Sequence, residues 1–125
     1  MSSTDEELLQ LLAQYVEAPV ECDGFALLAH TALVRAGIEH FCLYGRLESQ
    51  DGNRGIPAHF WIELVDGRII DYRARMWLGA LDSVPHGIFD ANTFPEWTYQ
   101  GEHVALPTLH PALVEIMMTP IPSFD

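Results

Sequence analysis

Three residues of this chain have the types and the order for covalent chemistry. Cys22 stands in Pro19-Val20-Glu21-Cys22-Asp23-Gly24-Phe25, directly ahead of a helical pattern. His59 falls in Ala58-His59-Phe60-Trp61-Ile62-Glu63-Leu64, and Asp71 closes Asp66-Gly67-Arg68-Ile69-Ile70-Asp71. A thiol, an imidazole and a carboxylate are a nucleophile, the base that takes its proton and the group that orients the base. A cysteine at a helix N-terminus also meets the positive end of the helix dipole, which favours the reactive thiolate. These types indicate attack on an amide or acyl carbonyl and leave the substrate open.

Each residue also has a plainer role. A cysteine at a helix start is more often structural, a histidine early in a strand is often a polar end residue, and Asp71 can simply terminate a strand. Their joint order, the glycine two residues after Cys22 and the aromatic after His59 favour catalysis. Arg73 and Arg75 alternate around Ala74 just past Asp71 and are candidates to hold a substrate carboxylate, with internal ion pairs as the plainer alternative. Trp61, which shares the His59 face, is a candidate substrate-binding wall or a core residue, and Trp77 is read the same way. The histidines at 30, 40, 86, 103 and 110 show no tight metal-ligand spacing. No metal and no cofactor is therefore expected, although a Cys22, His59 and Asp71 metal site is chemically possible. No glycine-rich phosphate cradle occurs.

The elements that must position these groups are legible in outline. Thr4 to Val16 reads as a helix, with Thr4 as cap and Glu7 completing a capping box. Ala18-Pro19-Val20 interrupts it. Cys22 to Ala36 reads as a second helix, apolar on most sides and so central and buried, with Gly37 as its stop. Ile38 to Glu48, Ala58 to Val65 and Arg68 to Arg73 read as three strands of an antiparallel meander, the first two joined by a polar loop over 49–55. Alternation puts His59, Trp61 and Glu63 on one face, with Phe60, Ile62 and Leu64 on a more deeply buried one. A two-residue Asp66-Gly67 turn would pair Ile62 with Asp71 and leave His59 and Asp71 on opposite faces. Uniting them requires a bulge or a different turn. Beyond Arg75 the pattern weakens: a short helix or turn over 77–81, an irregular stretch, a last strand from Tyr99 to Leu106, a short helix from Pro111 to Met117 and an extended 119–122.

With 125 residues, the chain is expected to form a single domain over 1–125 with one core. Six basic residues, all arginine, stand against eighteen acidic ones, a formal net charge of −12. Such a chain is poorly suited to nucleic-acid backbones or anionic membranes. The acidic N-terminus lacks the basic region of a signal peptide, and no apolar run is long enough to span a bilayer, so a cytoplasmic protein is expected. Of the two cysteines, Cys42 lies in an apolar run and reads as a buried strand residue; a Cys22–Cys42 bridge is the minor alternative.

The segment Glu21-Cys22-Asp23-Gly24-Phe25-Ala26 resembles the Asp-Cys-Ser-Gly-Phe type segment of NlpC-type cell-wall cysteine peptidases. Ala58-His59-Phe60-Trp61-Ile62-Glu63-Leu64, with Asp66 to Asp71 after it, is similar to the His-aromatic-Trp-x-Glu and strand-ending Asp of transglutaminase-like proteins, which include arylamine acetyltransferase relatives and lasso-peptide leader peptidases. The resemblance covers about Pro19 to Trp77. Asp23 departs from the small residue usual there, and Val20 and Glu21 replace the aromatic and glycine that often precede the cysteine in transglutaminases. The resemblance implies a papain-like α+β domain in which a central Cys-bearing helix packs on an antiparallel sheet. It implies Cys22 as nucleophile, His59 as base and Asp71 as orienter in a thiol-dependent hydrolase of a peptide or amide. Acyl transfer of the transglutaminase or deamidase type, or a catalytically inactive module that binds a protein partner through the Pro-rich segments after Pro85, are the alternatives.

Overall fold

The computed structural model describes residues 3–120. It is an α+β arrangement with four helices and a five-stranded antiparallel sheet among the described residues. The first helix, α1 (Asp5–Val16), is capped by Thr4, whose hydroxyl accepts from the Glu7 amide at 3.1 Å. The second, α2 (Cys22–Arg35), ends where Gly37 takes a φ of +72°. Three strands follow: β1 (His40–Ser49), β2 (Gly55–Leu64) and β3 (Ile69–Asp71). Helix α3 (Ala74–Leu78), strands β4 (Gly87–Phe89) and β5 (Trp97–Val104) and helix α4 (Pro111–Met118) complete the described residues. The 121–122 part of the expected extended tail lies outside the described residues.

The sheet order is β4-β3-β2-β1-β5. The last strand therefore returns to the far side of β1, and β4, in the stretch expected to be irregular, covers the free edge of β3. Leu8, Leu12, Phe25, Ala29 and Leu33 of α1 and α2 pack on Cys42, Ile62, Leu64 and Ile70 of one sheet face. The opposite face carries Leu43, Trp61, Ile69 and Phe89, with Leu47, Ile56, Ala74, Leu78, Val84 and Trp97 beside them. Both faces are thus covered, and α3 lies on the side away from α2.

The β2–β3 turn departs from the two-residue hairpin. Its loop is Val65-Asp66-Gly67: the Leu64 amide donates to the Arg68 carbonyl at 2.8 Å, and the Gly67 amide to the Leu64 carbonyl at 2.9 Å. Gly67, at a φ of +95°, supplies the left-handed residue that closes a three-residue hairpin. One extra loop residue moves the register by one. Ile62 pairs with Ile70 and Glu63 with Ile69, so Asp71 falls opposite Trp61 and joins the His59 face.

The sheet is also strongly curled. Gly45 of β1 pairs directly with Gly101 of β5, and the β1–β2 register shifts between Gly45 and Leu47. A Cβ on Gly45 would lie 2.1 Å from the Gln100 carbonyl oxygen, and one on Gly101 would lie 2.7 Å from the Trp61 ring. This bare pair and the bulge let β5 fold over the face that bears His59 and Trp61.

Candidate active site

Asp71 is the fixed point of the site. Its Oδ1 accepts from the Arg73 amide at 3.0 Å and the Ala74 amide at 3.2 Å, at the start of α3. Its Oδ2 accepts from the Tyr99 hydroxyl at 2.8 Å and faces His59 Nε2 at 2.7 Å. The carboxylate is 2% exposed, yet all these partners stabilise its charge. Tyr99 was not anticipated. It reaches Asp71 because the curled sheet brings β5 across to β3, three strands away in the order. Burial, the Asp71 charge and the hydrogen bond to it all raise the Tyr99 pKa, so its hydroxyl stays a donor.

His59 is fully buried, on β2. Its ring stacks at 6.1 Å and 25° on Trp61, which in turn meets Tyr99 edge-on at 5.0 Å. With Nε2 on Asp71, Nδ1 is the nitrogen left; it is buried and lacks a well-formed partner among the described residues. Cys22 adjoins the ring and favours its protonated form by hydrogen-bonding and charge. Burial lowers the His59 pKa, but the Asp71 hydrogen bond, the Cys22 contact and the charges of both outweigh it, and the imidazole is pushed up to about 9.

Cys22 is half-buried at the first turn of α2. Its approach to His59 follows from the segment before it. Arg73 is 5% exposed and sits 4.8 Å from the Phe25 ring centroid. Its guanidinium donates to the carbonyls of Val20 at 2.7 Å, Val16 at 2.9 Å, Tyr72 at 2.9 Å, Ala18 at 2.9 Å and Tyr15 at 3.3 Å. An arginine has five N–H donors, so none remains for a substrate. Arg73 is a positioning residue that closes α1 and anchors the turn into α2, and its expected role as a carboxylate clamp does not fit. Gly24 serves the same turn: a Cβ there would lie 2.6 Å from Val20 Cβ. The Gly24 amide donates to Asp23 Oδ1 at 2.8 Å, which ties the Asp23 carboxylate to the helix start.

The other expected residues divide. Trp61 is 2% exposed, a prop beneath His59 and not a cleft wall. Arg75 is half-buried, donates through Nε to the Val84 carbonyl at 3.1 Å and leaves its guanidinium end near His86. Trp77 is 58% exposed beside Met76. Both cysteines are free thiols, and burial pushes Cys42 up to about 11, so Cys22 is the better placed nucleophile. No described helix is long and apolar enough to cross a membrane.

No protein-family model matches this chain, and no curated protein or solved structure shows significant similarity to it.

Proposed function

We propose that this protein is a papain-like thiol hydrolase that cleaves a peptide or side-chain amide through an acyl-enzyme at Cys22. The observation that carries this reading is the polarised line from Asp71 to His59 to Cys22. The carboxylate is immobilised by two backbone amides and Tyr99, it fixes His59 Nε2 as the donor, and it leaves Nδ1 for the thiol. A helix-borne cysteine beside a curled antiparallel sheet, with histidine and aspartate on adjacent strands, supports the papain-like reading.

His59 Nδ1 takes the thiol proton, and the Cys22 sulfur attacks the substrate carbonyl carbon. The carbonyl oxygen gains the displaced pair, and the Cys22 amide, without an intrahelical partner at the helix start, stabilises it. Collapse of this adduct breaks the C–N bond as His59 gives its proton to the leaving nitrogen. Water, deprotonated by His59 Nδ1, then attacks the thioester carbon, and collapse releases the acid as His59 returns the proton to the Cys22 sulfur. An amine in place of water would give acyl transfer.

Alkylation of native Cys22 by iodoacetamide, in wild type and His59→Ala, tests the assignment. Labelling faster than a free thiol near neutral pH, and slowed by His59→Ala, is expected. Labelling at the free-thiol rate in both proteins overturns it in favour of a binding module. A peptide library assayed with and without added amines then separates hydrolysis from acyl transfer.

A further inference from the structure

A second cluster of reactive groups lies away from the thiol site. His30 is in the middle of α2, eight residues or roughly 12 Å along the helix from Cys22. His40 and Cys42 alternate on β1 and so project from the same side of the strand. His30 Nδ1 lies 2.8 Å from His40 Nε2 and 3.4 Å from Cys42 Sγ. The three ligand atoms all fall within 4.8 Å of one another. Sequence spacing did not flag them, because they come from two elements and only packing of α2 on β1 unites them.

We propose that His30, His40 and Cys42 form a binding site for a zinc-class divalent metal ion. The orientation of His40 carries this most directly. Its Nδ1 is 2.8 Å from the Ile38 carbonyl oxygen, which can only accept, so Nδ1 bears the proton. Nε2 is then an acceptor, satisfied by His30 Nδ1–H at 2.8 Å, and a shift of that one proton to His30 Nε2 leaves two imidazole lone pairs converging on one point. A backbone carbonyl fixing the outer nitrogen while the inner one stays unprotonated is the arrangement that orients histidine ligands. Two imidazoles and a thiol are a donor set for zinc or another borderline-soft ion, and not for calcium or magnesium.

The dimensions are close to those required. Tetrahedral zinc places its nitrogens about 3.3 Å apart and nitrogen and sulfur about 3.6 Å apart, given ordinary bond lengths. The His30–His40 and His30–Cys42 separations of 2.8 and 3.4 Å fall just inside those spacings and the third lies within 4.8 Å, so side-chain rotations would bring the set around one ion. A surface pocket lined by Val34, Ile38, Glu39, Phe41 and Val65 together with both histidines gives a route of entry and room for a fourth ligand. Three protein ligands with an open fourth position would clamp the Cys22-bearing helix to the sheet at a point remote from the chemistry.

The protein, freed of metal, is titrated with Zn2+ and separately with Co2+ as a spectroscopic probe. One equivalent should bind, Co2+ should give intense tetrahedral visible bands with a thiolate charge-transfer band, and Zn2+ should raise the melting temperature. His40→Ala and Cys42→Ser should each weaken binding by at least roughly a hundredfold, since losing only an orienting partner costs ten- to a hundredfold. Cys22→Ser should bind as wild type. The His40 variant decides the outcome if Cys42→Ser does not fold. Absence of stoichiometric binding, unchanged binding in His40→Ala, or loss of the thiolate band in Cys22→Ser overturns the proposal. Because Cys22→Ser abolishes the hydrolase reading's nucleophile, failure of one assignment leaves the other intact.

Discussion

Replacing Arg73 by lysine separates a positioning role from a substrate-binding one. Lysine keeps the charge but offers three donors in place of five, so at least two of the carbonyls from Tyr15, Val16, Ala18, Val20 and Tyr72 lose their partner. Hydrogen bonds from a charged donor contribute roughly 1.5–3 kcal/mol each, and an unsatisfied buried carbonyl adds its desolvation cost. Allowing for relaxation and the lost contact with Phe25, the substitution should destabilise the fold by about 3 kcal/mol. A chain of 125 residues unfolds with an entropy of about 0.26 kcal/mol/K, so the melting temperature should drop by about 10 °C. The turn before Cys22 should loosen as well, and iodoacetamide labelling of Cys22 should lose its dependence on His59. Thermal melts followed by circular dichroism, with labelling measured well below the transition, read both effects. A melting temperature within about 2 °C of wild type, with only the affinity for a carboxylate-bearing substrate reduced, would refute the reasoning.

Stability should depend on alkaline pH through His59. Its folded value of about 9 lies above the ordinary 6.5, so the stabilisation is complete below about pH 6.5 and is lost as pH rises through 9. Urea midpoints should fall over that window in wild type and stay flat in His59→Gln. Tyr99→Phe removes one donor from a buried carboxylate and should cost about 1.5–3 kcal/mol in chemical denaturation while slowing Cys22 labelling; an unchanged protein on both counts would sink the role given to Tyr99. Gly24→Ala should destabilise by about 1–3 kcal/mol because its Cβ meets Val20, and adding Val20→Ala should restore much of the loss.

What the sequence revealed was mostly local. Thr4 and Glu7 marked the start of α1, the apolar breadth of α2 marked a buried helix, and Gly37 marked its end. The order of Cys22, His59 and Asp71 was visible for the same reason, each lying in a recognisable segment. The face on which Asp71 lies was not, because it turns on one residue of loop length, and Asp66-Gly67 suits a two-residue or a three-residue hairpin equally well. Tyr99 was invisible because nothing between Arg75 and Trp97 indicates that β5 pairs beside β1. Arg73 looked like a surface clamp because alternation with Arg75 says nothing about the carbonyls of α1 waiting behind it. The cluster of His30, His40 and Cys42 was hidden in the same way, divided between a helix and a strand.

The supply of Tyr99 by β5 sets an order of events during biosynthesis. A nascent chain that has emerged only as far as β3 holds the thiol, the imidazole and the carboxylate but lacks the phenol that braces them. Contacts between such distant parts of a chain form late, since the intervening loop must first be closed. The thiol therefore acquires its full setting only when β5 docks beside β1.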